Sequence, residues 1–292
     1  MTCVLITGAS GFIGAALARA LRASGVSVRT AGRGADSDVR ITALNAQTDW
    51  RPALVGVSAV VHLAGPAHAR FDETILRAAI AEASAALAAQ AAQAGVRRFL
   101  YLSSIKAAAA RTFTHPISER DPPAPEDAYG HAKLKAERAV LAHPALDPVI
   151  LRPPLVHAAD AKANFGALMR LAASGAPLPF AGVKNQRSII ARATLIEAIK
   201  RALGPGPSGV FHVCDRPALS TGEMIGALRR GLGRAPNLFD AGPLVSLAPA
   251  ALTENLVSDD SGFRAAYGYG AHTQTSSSDA LGSTARAWAA LR

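Results

Sequence analysis

The stretch LITGASGFIG, residues Leu5–Gly14, joins an apolar run to three glycines spaced three residues apart. Gly8, Gly11 and Gly14 follow a predicted strand and open a predicted helix. Such glycines permit a tight turn, close approach of the backbone to a pyrophosphate, and close packing of the helix. The helix N-terminus adds free N–H groups and partial positive charge, and Ser10 adds a hydroxyl. The stretch therefore predicts a dinucleotide-binding turn.

Outward from this turn, short apolar runs alternate with longer helical patterns. Predicted strands are Val4–Thr7, Val26–Ala31, Ala59–Ala64, Val96–Ser103 and Pro148–Arg152, and predicted helices are Phe12–Ser24, Asp72–Ala94 and Ala128–Ala142. This alternation is typical of a doubly wound parallel sheet. We predict an α/β fold with a Rossmann core in residues 1–155 that regains a segment at about 187–215. Residues 156–186 and 216–292 are predicted to form a smaller, mixed substrate-binding cap.

Composition restricts the class of protein. Of 292 residues 50% are hydrophobic, and the net charge is +10 with 25 Arg and 6 Lys scattered along the chain. The scatter favours a general basic bias over a nucleic-acid site. The sequence contains no apolar run of the roughly 18 residues that a membrane span needs. We also expect no secretory leader, because Leu5 already lies in a strand-like run. Cys3 and Cys214 lie in predicted buried strands, and the eight His lack ligand spacing. We expect a cytoplasmic protein that binds neither membrane, nucleic acid nor metal.

The second strand indicates which dinucleotide binds. An acidic residue at its end accepts a hydrogen bond from the ribose 2′-OH of NAD. Here the strand ends in Gly32–Arg33, and an Arg is suited to a 2′-phosphate. This favours NADP(H), with NAD(H) still possible, and the alternative is that Arg33 is only a solvated loop charge.

Tyr129 and Lys133 lie four residues apart on a predicted helix and therefore share one face. A free Tyr has a pKa near 10, and an adjacent ammonium lowers such a value by roughly one to three pH units. We therefore expect Lys133 to lower the pKa of Tyr129 and to bond the cofactor ribose. Ser103 and Ser104 follow a predicted strand at the sheet edge where ligands bind, so a hydroxyl there can contact the reacting oxygen.

These motifs together resemble the extended short-chain dehydrogenase/reductases, specifically the NAD-dependent epimerase/dehydratase family. The resemblance rests on TGASGFIG, VVHLAG (60–65), YLSSIK (101–106), YGHAK (129–133), LRPPLV (151–156), QRSII (186–190) and a closing segment at 256–269. It covers essentially the whole chain. Within the family the chain is most similar to the branch of UDP-sugar 4-epimerases and 4-keto-sugar reductases.

The resemblance implies a role for each matching residue. Tyr129 would be the general acid/base, Lys133 its helper, and Ser104 the hydroxyl that orients the reacting oxygen. A second set would surround the cofactor: Gly8, Ser10, Gly11, Phe12, Ile13, Gly14, Arg33, Leu63, Ala64, Gly65 and Ser103. A third set would hold the substrate with Ser104: His157, Asn164 and Arg187, the last facing the pyrophosphate.

Four positions depart from the family pattern. Ala43 stands near the place of an acid, and Ile80 replaces a usual Asn. SSIK continues into Ala107–Ala110 instead of a Gly-bearing turn, and RSII continues into ARAT where relatives have an Asp. These departures leave substrate identity and cofactor affinity open.

Three functions remain possible from the sequence. The first is an oxidoreductase or epimerase acting at C4 of a nucleotide-activated sugar by hydride transfer, with Tyr129 as acid/base. The second is a reductase of a non-sugar carbonyl, which Asn164 and Arg187 disfavour. The third is a dinucleotide-binding sensor or scaffold without turnover. Relatives that dimerise through the helices at 72–94 and 128–142 lead us to expect a homodimer.

Overall fold

In the part of the chain that the computed structural model describes, residues 3–66, 72–112, 114–268 and 275–292, seven strands form one parallel sheet. Their order is β3-β2-β1-β4-β5-β6-β9, and β7 and β8 form a separate parallel pair. The strands are β1 Cys3–Thr7, β2 Ser27–Gly32, β3 Val39–Arg40, β4 Val57–His62, β5 Arg98–Leu102, β6 Pro148–Arg152, β7 Leu155–His157, β8 Ile189–Ala191 and β9 Gly209–His212. The sheet confirms the predicted doubly wound, Rossmann-like fold.

The helices of the described residues flank this sheet and build the cap. They are α1 Gly14–Ala23, α2 Arg51–Leu54, α3 Glu73–Leu76, α4 Ala83–Gln93, α5 Ala128–Leu141, α6 Ala163–Ala173, α7 Arg192–Ala202, α8 Thr221–Gly231, α9 Ala250–Thr253, α10 Ser261–Tyr267 and α11 Ser277–Ala290. A π-helical segment, Arg77–Glu82, joins α3 to α4, and a 3₁₀ turn, Ile105–Ala107, follows β5.

Successive strand residues enter opposite cores. In β1, Leu5 belongs to the cluster that α4 and α5 cover, whereas Ile6 belongs to the cluster that α1 and α7 cover. Both side chains have no exposed surface. Because successive side chains of a strand point to opposite faces and both faces are buried, the central strands appear in the sequence as continuous apolar runs.

The predicted helix at 72–94 forms from Glu73 to Gln93 but with a π-helical middle. This stretch is the one helix of the described chain that is long and apolar enough to cross a membrane. Leu76, Ile80 and Leu87 are fully buried in the core of the sheet, a burial that accounts for its apolar composition.

The cap centres on α6, α8 and α11, whose side chains share an apolar cluster that includes Phe165, Ile225 and Leu281. The sequence pattern did not predict α10 and α11. It also assigned all of 216–292 to the cap, but α10 packs on the main sheet, where Phe263 and Tyr267 contact Phe211. This difference arises because Phe211 lies more than fifty residues before Phe263 and Tyr267 and meets them only in the folded chain.

Candidate active site

The glycine turn lies at the point where the sheet changes direction. The chain runs from β1 outward to β2 and β3 on one side, and resumes at β4 on the other. A Cβ at Gly8, where φ is +72°, would lie 2.8 Å from Ala64 N, and a Cβ at Gly14 would collide with Gly8 O. Both glycines are therefore required for the backbone to pass this crevice, which is the usual ligand site of such sheets.

The N-terminus of α1 fits the phosphates of a dinucleotide. Its N-cap residue, Ile13, makes no side-chain cap, and the first turn contains no acid. The first N–H groups of a helix lack intrahelical partners, so an anion can accept from them. Ser10 and Gly11 are exposed and Phe12 is half-buried, which leaves the predicted turn open to a ligand.

A buried hydrogen-bond chain supports the loop after β4, which contains the predicted cofactor residues Leu63, Ala64 and Gly65. Ala64 N donates to Thr7 Oγ1, whose oxygen lies 2.6 Å from His62 Nδ1. His62 Nε2 lies 3.0 Å from Ser84 Oγ, which donates to the carbonyl of Ile80. Burial lowers the pKa of His62 to about 3, so the ring stays neutral and the chain fixes its tautomer.

The end of β2 carries no carboxylate. Arg33 is exposed immediately after Gly32. Asp38, before β3, is bonded to the backbone N–H and hydroxyl of Thr30. Arg33 therefore lies exposed at this strand end, and its contact with a 2′-phosphate stays a prediction.

The strand end of β5 and the first turn of α5 bring Ser104 and Tyr129 together. The Ser104 hydroxyl accepts from Lys106 N at 3.2 Å and lies beside the Tyr129 phenol, whose pKa it lowers. Tyr129 is 9% exposed. Ser104 and Tyr129, which are 25 residues apart in sequence, thus place their hydroxyls together at the carboxyl edge of the sheet.

The effect expected of Lys133 on Tyr129 is not found. Burial raises the pKa of Tyr129 to about 12, the nearby Ser104 hydroxyl opposes the rise, and the charge of Asp127 adds to it. Lys133 Nζ lies 5.8 Å from the Tyr129 ring centroid and donates to Leu102 O at 2.8 Å. The correction follows from desolvation, which a local sequence pattern does not report and which here outweighs the neighbouring ammonium.

Lys133 is itself perturbed. Burial lowers its pKa to about 8, against the opposing charge of Glu137 one helical turn away. Within the described residues its ammonium donates to Leu102 O alone, so it retains N–H donors for a ligand.

Ser103 turns away from Ser104 into a buried ion pair. Its hydroxyl donates to Glu137, which also accepts from Arg152 at 2.6 and 2.9 Å. The proton of the Ser103 hydroxyl is therefore engaged within the protein, and the cofactor contact predicted for Ser103 stays a prediction. Neighbouring residues at a strand end point to opposite sides, which explains the separation.

Of the predicted substrate residues, Arg187 and Asn164 remain available to a ligand. Arg187 is half-buried, and its guanidinium donates to Glu254 O at 3.0 Å. Burial lowers its pKa, with Glu254 opposing. Asn164 is exposed in the first turn of α6. These positions stay predictions, since no contact brings the two side chains together.

The structure contradicts the substrate role predicted for His157. Its side chain is buried, with Nδ1 3.0 Å from Thr284 Oγ1, Nε2 3.8 Å from Asp215, and the ring against Phe165. His157 therefore joins β7 to α6 and α11 inside the protein. The resemblance placed it at a ligand position, but α11, which the sequence did not predict, covers it.

Arg192, in the first turn of α7, is a site residue that the sequence reasoning missed. Its guanidinium lies 4.6 Å from the Phe12 ring centroid, donates to Phe12 O at 3.1 Å and pairs with Asp160 at 2.8 Å. It thus ties the phosphate turn to the segment before α6. In the sequence, the one sign of this role is that Arg192 lies in ARAT, a stretch that departs from the family pattern.

Two further sequence expectations can be placed. Cys3 is half-buried in β1 and Cys214 is buried just beyond β9, and neither forms a disulfide. Within the described ranges, no group of three or more His, Cys, Asp or Glu could hold a metal ion.

Comparisons with known proteins agree with this geometry. Residues 4–213 match the model of the NAD dependent epimerase/dehydratase family. A UDP-glucose 4-epimerase from Vibrio cholerae is 34% identical over 249 residues, which cover 79% of this chain and 76% of that protein.

Solved structures share the fold. The UDP-N-acetylglucosamine 4-epimerase from Bacillus cereus superposes with a TM-score of 0.83 at 19% identity, over 100% of this chain and 99% of that one. WbmG from Bordetella bronchiseptica, solved with NAD and UDP, gives 0.79 at 21% identity, over 99% and 94%. The Thermotoga maritima UDP-glucose 4-epimerase with UDP-glucose gives 0.79 at 18% identity, over the full length of both chains. The chain therefore belongs to the NAD dependent epimerase/dehydratase family.

Proposed function

We propose that the chain is a UDP-sugar 4-epimerase in which Tyr129 is the acid/base. The observation that carries the proposal is that Ser104, Tyr129 and Lys133 lie together at the sheet edge that also holds the glycine turn. The 34% identity to a UDP-glucose 4-epimerase supports the substrate class.

When bound, a nicotinamide dinucleotide supplies hydride transfer. The N-terminus of α1, which has no side-chain cap, and the close packing of Gly8 and Gly14 fit its phosphates. Tyr129 exchanges a proton with the sugar C4 oxygen at its phenolic oxygen, and Ser104 orients that oxygen. Lys133 holds positive charge near the phenol, and Arg187 binds the substrate diphosphate with a guanidinium suited to two phosphoryl oxygens.

A second candidate is reduction of a 4-keto sugar with NADPH. Two observations favour it: Arg33 is exposed at the end of β2, and Tyr129, with a pKa of about 12, is a proton donor at neutral pH. The comparisons name NAD, not NADP. Arg33→Ala separates the cofactors, because loss of a 2′-phosphate contact weakens NADPH binding roughly tenfold and leaves NADH binding unchanged. Equal losses would exclude the contact.

The substrate test uses the purified chain with NAD or NADP and a panel of UDP- and dTDP-sugars and their 4-keto forms. Product is detected by chromatography and proton NMR. Formation of a C4 epimer supports the 4-epimerase, and net reduction of a 4-keto sugar supports the reductase. Turnover of an apolar carbonyl compound alone would support the non-sugar reductase, and cofactor binding without any turnover would support a sensor.

Adjacent serines supply a matched control. Ser104→Ala should lower kcat while cofactor binding persists, because the Ser104 hydroxyl lies beside Tyr129 and lowers its pKa. Ser103→Ala should lower stability but not the intrinsic rate, because Ser103 bonds Glu137. The reverse pattern would contradict the assignment of Ser104. The homodimer and the cytoplasmic location remain predictions, and sedimentation of the purified chain tests the former.

A further inference from the structure

We propose that Lys106 is a positioning residue of the active site, which joins the turn carrying Ser104 to the helix start carrying Tyr129 and offsets the charge of Asp127. This inference rests on the proposed acid/base role of Tyr129. Nothing in the reaction assigned above uses Lys106.

The backbone of Lys106 fixes both sides of the hydroxyl pair. Its N–H donates to Ser104 Oγ at 3.2 Å, so that the Ser104 oxygen is held where the hydroxyl reaches Tyr129. Its carbonyl packs against Gly130, the residue after Tyr129, so closely that a Cβ there would collide. The turn after β5 and the start of α5 are therefore in direct contact on either side of the catalytic pair.

The side chain of Lys106 completes the connection. Its Nζ lies 2.5 Å from Asp127 Oδ2, and Asp127 Oδ1 caps α5 by accepting from Gly130 N at 2.7 Å. One carboxylate thus receives the helix N-terminus on one oxygen and the ammonium on the other. The side chains of Lys106 and Asp127 are 44% and 34% exposed, so the pair is partly screened by solvent.

The charge of this pair acts on the phenol. Burial alone would raise the pKa of Asp127, but the hydrogen bonds from Lys106 and Gly130 outweigh it and keep the carboxylate ionised. That ionised carboxylate raises the pKa of Tyr129. Without Lys106, the negative charge would act on the phenol uncompensated, and formation of a phenolate would become harder.

Other titratable groups lie on the elements packed around Tyr129, and a pH experiment must keep them constant. They are Lys133, Glu137 and His131 on α5, the last of which also lowers the pKa of Asp127 by its charge, with Tyr101 on β5, Arg152 on β6, and the Arg77–Glu82 pair of the π-helical segment. None of their side chains contacts the Asp127 carboxylate in a hydrogen bond of the described residues, which makes Lys106 the partner to change.

The test compares pH profiles of kcat for the cofactor-loaded enzyme. Lys106→Met should move the acid limb, where Tyr129 loses its proton, to higher pH by about half a unit and lower kcat at neutral pH about threefold. Asp127→Asn keeps the cap oxygen but removes the charge, so it should move the limb to lower pH. The double variant should return the limb to near its original position, and Lys106→Arg should retain it.

Lys135→Met is the matched control, because Lys135 is exposed on the same helix and should leave the profile unchanged. If Tyr129→Phe is inactive and Lys106→Met and Asp127→Asn leave the limb unmoved, Lys106 has no such role. If Tyr129→Phe is fully active, the proposed acid/base function fails instead. Should Lys106→Met not fold, the double variant decides the matter, since its limb differs from that of Asp127→Asn only if the charge of Lys106 acts on Tyr129.

Discussion

The cofactor edge of the sheet and the substrate cap differ in how their residues reach the site. At the cofactor edge, Gly8, Ser104 and Tyr129 follow strands or open helices, and local geometry places them. On the substrate side, His157 in the cap and Arg187 at the start of the returning core segment are placed by α11 and by the segment at Glu254, both far along the chain. Changes at the edge should therefore affect chemistry and cofactor binding, whereas changes in the cap should affect substrate binding or stability separately.

The largest effect is expected at Tyr129. Tyr129→Phe keeps the buried ring and removes the phenolic oxygen, so kcat should fall by roughly 10²–10⁴ with cofactor affinity nearly retained. Steady-state kinetics and cofactor titration measure the two quantities. A variant with more than a tenth of the original kcat would show that Tyr129 does not transfer the proton.

Gly14→Ala tests the glycine turn. Alanine normally stabilises a helix relative to glycine, but here its Cβ would collide with Gly8 O, so we expect a loss of about 1–3 kcal/mol of stability and at least tenfold weaker cofactor binding. Gly34→Ala is the control, because its Cβ would meet open space. Equal behaviour of the two variants in thermal melts and cofactor titrations would contradict the close approach.

Two changes on the substrate side separate substrate binding from packing inside the protein. Arg187→Ala should raise the KM for a UDP-sugar about tenfold or more and leave cofactor affinity unchanged, because a charged contact to the diphosphate is lost. His157→Phe should leave that KM unchanged and lower the free energy of unfolding by about 1–2 kcal/mol, because the bond to Thr284 is lost. A raised KM in His157→Phe would restore the substrate role that its burial argues against.

A smaller effect is expected from pH. The pKa of Lys133 is about 8, below the usual lysine value, so its ammonium is lost as pH rises through 8. Cofactor affinity should therefore weaken a few-fold between pH 7 and pH 9. Lys133→Arg stays charged throughout this range, so the cofactor affinity of that variant should not change between pH 7 and pH 9. If the affinity of the variant still weakens over this range, a group other than Lys133 is responsible.

The sequence predicted the chemistry-bearing residues at the cofactor edge because strand ends and helical spacing are local properties. It did not predict the environment of Tyr129, because burial depends on α5 packing against the π-helical segment and β5. Ala107–Ala109, a departure from the family pattern, are buried, with Ala108 and Ala109 in a small cluster with Ile117 and Leu256, so their size is set by residues distant in sequence.

Arg192 is a second example of a site residue that local sequence patterns do not predict. Its contacts with Phe12 span 180 residues, so the tie between the phosphate turn and the cap is invisible to any local pattern. His157 and Thr284 are separated by 127 residues and depend on a helix that the tail's irregular periodicity conceals. Long-range pairing, more than residue identity, thus limits what a single sequence predicts of the cap.

The most direct measurement is proton NMR of a UDP-sugar incubated in D₂O with the purified chain and NAD. Epimerisation with hydride returned to C4 should yield the C4 epimer with hydrogen, not deuterium, at that carbon, and Tyr129→Phe should yield none. Deuterium at C4, or no epimer from any UDP-sugar of the panel, would contradict the assignment of this site to C4 epimerisation.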